Sequence, residues 1–235
     1  MTQPHGNILF VVLLGIILFG ALNYTVLRSS EEDVVSNQGD YANANQLIQY
    51  GESIRQAIAY VRTNKGCAIE EISFDPPPFD GSKVSGNYLN PKSPADERCH
   101  LFSPKGGNLN YRVDEMANLL GLSSVSNFRF LINKAFNKVG TSNCTDTSCQ
   151  ELYLLAITSA TNTNEICDQY NRILKNDSLV PIKTISYSAS GGHYNGTLLG
   201  GTTSVNADVD GKKAFCVNDA SNNSQNHFVY VLVER

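Results

Sequence analysis

The sequence predicts an α+β protein with a long hydrophobic N-terminal helix and a C-terminal domain built on an antiparallel sheet. Residues 8–27 contain no charged side chain. An amphipathic helical pattern follows from Asn43, and strand-like runs fill the second half of the chain. Because the helices come first and the strands later, the pattern favours α+β over an alternating α/β arrangement.

The apolar segment, residues 7–28, has the length of a transmembrane helix. About 20 apolar residues at about 1.5 Å each cover a hydrocarbon core of about 30 Å. Lipid offers no hydrogen bonds, so the segment should be helical. Gly15 and Gly20 would allow close approach of another helix.

Three kinds of processing are compatible with this segment. A secretory signal peptide is expected to have a basic N-terminal region and a small-x-small cleavage site, but the six residues before Asn7 contain no Lys or Arg. A simple signal anchor explains the hydrophobicity without cleavage. The third possibility is cleavage after Gly6, since a short polar leader ends there and the apolar run begins at once.

The third pattern resembles the N-terminus of type IV pilins and type II secretion pseudopilins. The resemblance implies that prepilin peptidase removes leader 1–6, making Asn7 the first residue, and that helix 7–28 leaves the membrane for a filament core. Most relatives carry a Glu at the fifth mature position, where it helps to set subunit register. This chain has Val11 there, as in the minority that lack the Glu, which includes the large pseudopilin proposed for the filament tip.

The order of motifs along the chain is also similar to a set of bacterial pilin-like proteins with no known activity. These motifs are Gly6-Asn-Ile-Leu-Phe, Gln46-Leu-Ile-Gln-Tyr50, Gly66-Cys67, Glu71-Ile-Ser-Phe74, Cys99-His-Leu-Phe and Gly106-Gly107. This likeness covers most of the chain.

Residues 29–66 are predicted to be an amphipathic helical segment interrupted near Asn37-Gln-Gly-Asp40. From Asn43 one face carries Leu47, Gly51, Ile54, Ile58 and Val61 at helical intervals. The opposite face carries Gln49, Glu52, Gln56 and Thr63, with Arg55 at the margin, and Gly66 is a natural C-terminal cap. In a pilin-like plan the apolar face packs on the sheet, but an ordinary core helix would show the same pattern.

Residues 67–235 are predicted to form one disulfide-stapled α+β domain. Its residues 70–107 are rich in Pro and Gly, which favours an irregular loop over helix or central strand. The resemblance to pilins implies that this segment is exposed. Strand patterns follow at 127–133, 151–157, 180–187, 214–216 and 227–234, with a capped helix at 162–173.

Six cysteines lie beyond the apolar segment, which predicts disulfides in an oxidising compartment. Closing the shortest loops first pairs Cys67 with Cys99, Cys144 with Cys149 and Cys167 with Cys216. The Cys and His spacings do not fit a zinc site.

Other candidate chemistry is weak. Asp208-Val-Asp210-Gly211 is similar to a calcium loop, but it lacks the third ligand before the Gly and the later Glu, so a turn is the simpler prediction. Ser188 and His193 lack a Gly-x-Ser-x-Gly context, and the Gly pairs are not followed by Lys-Ser or Lys-Thr. A formal net charge of -4 without a basic block argues against nucleic acid.

The predicted function is therefore non-enzymatic: a structural subunit of a pilus-like or pseudopilus-like filament, with no cofactor unless calcium binds. Its expected partners are copies of itself or other pilin-like subunits, the membrane and prepilin peptidase. The expected location is the bacterial inner membrane, with a periplasmic domain that becomes extracellular in the filament. The alternative is a single-pass adhesin or receptor that binds through loops 70–107 or 188–211.

Overall fold

The computed structural model describes residues 38–79, 88–122, 128–132, 152–185, 194, 196, 207–219 and 225–233. The chain divides into two compact units, Met1–Asp40 and Tyr41–Arg235. The predicted leader and apolar helix, residues 1–28, lie outside the described residues. No helix of the described part is both long and apolar enough to cross a membrane.

The second unit is α+β, as predicted. Helix α1 (38–64) begins in the last three residues of the first unit and continues into the second, which also contains α2 (Val113–Leu119) and α3 (Ala160–Ile173). Its strands are β1 (Phe128–Ile132), β2 (Leu152–Ser159), β3 (Thr184–Ile185), β4 (Ala214–Asp219) and β5 (Gln225–Val233). Short 3-10 turns occupy Ile69–Glu71, Asp177–Leu179 and Ala207–Val209.

The sheet has the order β1-β2-β5-β4-β3, and its first four strands are antiparallel neighbours. The two-residue strand β3 runs parallel to β4, so the sheet is mixed. The prediction of a purely antiparallel sheet is therefore wrong for this edge strand. The strand expected over 180–187 is also shorter than predicted. Residues 180–182 form a turn that includes the cis bond between Val180 and Pro181.

Helix α1 confirms the predicted apolar stripe. Leu47, Ile54, Ile58 and Val61 are buried, and Gly66 has φ +70°, which suits its role as the cap. The predicted interruption is wrong over 38–40, because these residues are already helical. Gly and Asp favour a turn at these positions, but the following turns of the helix are buried in the core. Tertiary packing of those turns stabilises the helical conformation of residues 38–40.

Helix α1 packs on one face of the sheet. A Cβ on Gly51 would lie 2.5 Å from Cγ of the Tyr230 ring on β5, so the absence of a side chain at Gly51 is what lets helix and strand approach this closely. Helix α3 covers the same face further along the strand: the Tyr170 hydroxyl donates to the Val229 carbonyl, and its ring packs edge-to-face on Phe228 at 5.4 Å.

Helix α2 was not predicted, because the sequence was expected to turn to strands beyond Tyr111. Val113, Met116, Ala117 and Leu120 have spacings of three and four residues and are all buried. The acidic side chains in its first turn suit a helix N-terminus. Seven residues are too few for helical periodicity to stand out from the surrounding Asn- and Gly-rich sequence.

Candidate functional site

The described part of the chain has two features that could bind a partner. One is the irregular segment, residues 67–111, and the other is a basic groove beside α1. The expected processing positions Gly6, Asn7 and Val11 lie outside the described residues, as do Cys144, Cys149, Ser188 and His193. The described candidates are the other four cysteines and the two aspartates of the calcium-like loop.

Two of the three predicted cysteine pairs are disulfide bonds. Cys67 is bonded to Cys99, and Cys167 to Cys216, with Cα–Cα distances of 5.8 and 5.4 Å. The second bond ties α3 to β4, as predicted from the order of helix and strand. Nearby, Asn171 accepts from the Cys216 N–H and donates to its carbonyl, both at 2.8 Å.

The irregular segment is more buried than predicted. Apart from the 3-10 turn Ile69–Glu71, its described residues form no helix and no regular strand, but Ile72, Phe74, Cys99 and Leu101 are completely buried. An isolated bridge pairs Ser73 with His100. The segment is therefore part of the domain core, and only portions of its surface are open to a ligand.

One side chain, Asn90, organises much of this segment. Its amide nitrogen donates to the carbonyls of Glu70 and Ile72, each at 2.7 Å, and its oxygen accepts from the Lys92 N–H. From a distant part of the chain, the Tyr194 hydroxyl donates to the Ile69 carbonyl. These bonds satisfy backbone groups that a regular element would pair by itself.

One of the two aspartates of the calcium-like loop is already paired with a lysine. The Asp208 carboxylate lies 2.6 Å from the Lys183 ammonium, and the Lys212 N–H donates to the Val209 carbonyl. Asp210 Oδ1 is buried without a hydrogen-bond partner in the described structure. No group of three or more His, Cys, Asp or Glu side chains that could hold a metal occurs among the described residues.

The basic groove runs along one side of α1 where the helix meets the end of β5. It consists of two adjoining cavities of about 300 and 290 Å³ that share Arg55 and Val231. Arg55, Arg62, Lys213 and Glu52 supply its charges, and Ile58, Leu174, Tyr230 and Val231–Val233 are among its remaining lining residues. The described lining residues carry a formal net charge of +2, in a chain whose formal net charge is -4.

Glu52 accepts several hydrogen bonds in the cavity that Lys213 and Tyr230 also line. It accepts two bonds from Arg55, both at 2.8 Å, and one from the Tyr230 hydroxyl at 2.7 Å. The Arg55 hydrogen bonds lower the pKa of Glu52 to about 2, and the Tyr230 bond adds to this. Burial, followed by the bond to Glu52, raises the pKa of Tyr230 to about 12. The carboxylate is therefore charged and the phenol neutral across the physiological pH range.

Arg62 is the cation of the groove that is open for a new partner. It is exposed and makes no hydrogen bond or ion pair within the part of the chain that the structure describes. Sequence reasoning placed Arg55 at the margin of α1 but did not identify the groove. The available signal was the seven-residue spacing of Arg55 and Arg62, which puts both on one side of a helix.

Comparison of the chain with protein-family models, with curated proteins and with solved structures finds no match in any of the three. The case for a function therefore depends on the residues of this chain and on the geometry described above.

Proposed function

We propose that the protein is a non-enzymatic, pilin-like filament subunit whose apolar helix, residues 7–28, packs in a filament core while the α+β domain faces outward. The observation that carries the proposal is the uncharged run of residues 8–27 directly after Gly6, followed by an amphipathic helix joined to a disulfide-containing domain. An apolar helix at rest in lipid can leave it only for surroundings that are equally apolar. A bundle of the same helices provides such surroundings.

The outer face of α1 supports this proposal. Its exposed residues include Ala42, Gln49, Gln56 and Thr63, which lie seven residues apart in a row. No charged side chain belongs to that row, and Arg55 and Arg62 lie to one side of it. Burying an uncharged face against another helix avoids the high cost of desolvating charge.

Tyr41 and Tyr60 extend the same argument. The two residues are 51 % and 43 % exposed, although both are large and partly apolar. Aromatic side chains are enriched in the buried centres of protein interfaces. Their exposure on α1 is consistent with a helix that acquires neighbours during assembly.

Processing after Gly6 tests the proposal. The full chain is expressed in cells with and without active prepilin peptidase, and its N-terminus is determined by mass spectrometry. We expect Asn7 as the first residue only when the peptidase is active, and Met1 when Gly6→Val blocks cleavage. Met1 at the N-terminus of the unaltered chain in peptidase-positive cells would contradict the proposal.

The second candidate is a membrane-anchored adhesin or receptor domain. The irregular segment favours this candidate, because Asn90 and the Cys67–Cys99 bond fix its conformation and would give it a defined binding surface. Mechanical shearing of cells separates the two candidates. A filament subunit is released into the sheared fraction, whereas a singly anchored receptor stays with the membrane.

A further inference from the structure

We propose that the basic groove beside α1 binds the acidic run Glu31, Glu32 and Asp33 of a second copy of this chain. The inference rests on the proposed function, because it concerns how copies contact each other. It goes further by naming both sides of one contact. The groove supplies the cationic surface, and the run lies just before α1 in the sequence of the partner copy.

Charge complementarity is the first argument. Arg55, Arg62 and Lys213 line the groove, and Arg62 is the one of the three with no ion pair or hydrogen bond among the described residues. Glu52, the carboxylate among the described lining residues, is already bonded to Arg55 and Tyr230. A surplus of positive charge in an acidic chain attracts anions. The Glu-Glu-Asp run is the one stretch of three consecutive acidic residues in the sequence.

The apolar residues of the groove give the second argument. Ile58 and the end of β5 line the groove beside the cations. In the sequence the acidic run is followed directly by Val34 and Val35. A segment with acids first and valines next matches both parts of the groove, whereas a small inorganic anion would match only the cations.

Chain length indicates that the occupant comes from another copy. Residue 62 lies 24 residues along α1 from residue 38, which is about 36 Å at the helical rise per residue. The seven residues from Glu31 to residue 38 span at most about 25 Å when fully extended. The run of the same chain could meet Arg62 only if all seven residues were fully extended, with none left to form the turn that reverses the chain direction. We therefore assign the Arg62 end of the groove to the run of a second copy.

The test uses charge reversal and rescue in the full-length protein. Arg62→Glu and Glu32→Lys are each expected to lower the yield of sheared filaments at least threefold, because each replaces an attraction by a repulsion. Combining the two should restore the yield to within twofold of the unaltered chain. Arg172→Glu makes the same change at an exposed residue of α3 that lines neither cavity and has no ion pair among the described residues, and it should leave the yield unchanged.

Cross-linking reads the contact itself. Glu32→Cys and Arg62→Cys are co-expressed on separate chains and treated with a short bismaleimide, both in membranes and in sheared filaments. We expect a cross-linked dimer with the two variants together and none with either alone. Arg172→Cys, at an exposed residue of α3 outside both cavities, replaces Arg62→Cys as the control position.

The outcomes separate this inference from the proposed function. Filaments that form normally in all reversal variants, without a cross-link, would overturn the groove contact and leave the filament proposal standing. A loss of yield in Arg62→Glu without rescue or cross-link would assign the groove to another anionic partner and would also overturn it. If the unaltered chain forms no filaments and the two cysteine variants together give no cross-link in membranes, both proposals fail.

Discussion

Helix α1 with its sheet and the irregular segment 67–111 contribute to the same core, but they are held in place by different means. In α1 the burial follows a helical period, and Leu47, Ile54 and Val61 are each at most 4 % exposed. In the segment, a disulfide and the side chain of Asn90 replace the missing regular hydrogen bonds. The comparison teaches that a periodic pattern makes a region resistant to small changes, whereas the irregular region depends on a few particular side chains.

Removing a disulfide should have the largest effect, and the two bonds should differ in where protection is lost. Cys67→Ser with Cys99→Ser opens a closed loop of 32 residues, which should lower the free energy of unfolding by about 3–4 kcal/mol. Hydrogen exchange should show the loss of protection concentrated in residues 67–111.

The matched change, Cys167→Ser with Cys216→Ser, opens a loop of 49 residues. It should leave α3 protected, because Tyr170 and Asn171 still bond the sheet. Equal and global loss of protection in both variants would break the comparison.

The next effect is expected at Asn90. Asn90→Ala leaves the carbonyls of Glu70 and Ile72 without their donor, which should cost about 1–3 kcal/mol per buried group left unsatisfied. Chemical denaturation measures the change. Asn45→Ala on α1 is the matched control, because that side chain is only partly buried and Ala favours helix. A loss at Asn90 no greater than at Asn45 would contradict the role given to this side chain.

Gly51 tests how closely α1 must approach the sheet. Gly51→Ala places a methyl group 2.5 Å from the Tyr230 ring, and overpacking of this kind costs about 1–3 kcal/mol. Gly39→Ala, on the same helix with nothing within 4 Å of the new methyl, should stabilise the helix by up to about 1 kcal/mol. Effects of the same sign in thermal unfolding would show that helix propensity, and not contact with Tyr230, decides both.

The smallest effect concerns Glu52 and acid. Its pKa is lowered in the folded state from 4.5 to about 2, so its contribution to stability is present above about pH 4.5 and is lost as the pH falls toward 2. Glu52→Gln should therefore weaken the fall in melting temperature over that window, and Tyr230→Phe should weaken it less. An unchanged pH profile in Glu52→Gln would show that the Arg55 and Tyr230 bonds do not stabilise the fold.

The same comparison explains what could be predicted from the sequence. The stripe of α1, strands β2 and β5 and the Cys167–Cys216 bond follow from local periodicity, composition and loop length. Burial of the irregular segment could not be predicted, because it depends on contacts such as Tyr194 with Ile69, which are 125 residues apart. The proline and glycine content correctly predicted irregular structure there, but it does not predict how deeply the segment is buried. The basic groove was missed for a similar reason, since Lys213 and Tyr230 reach Arg55 only through the fold.

Electron microscopy of sheared surface material tests the central claim most directly. Cells expressing the full-length protein are sheared, and the released material is imaged with antibodies against the α+β domain. The account predicts labelled filaments from cells with active prepilin peptidase and none from cells expressing Gly6→Val. Labelled protein found only as single molecules in the membrane, in both cases, would contradict it.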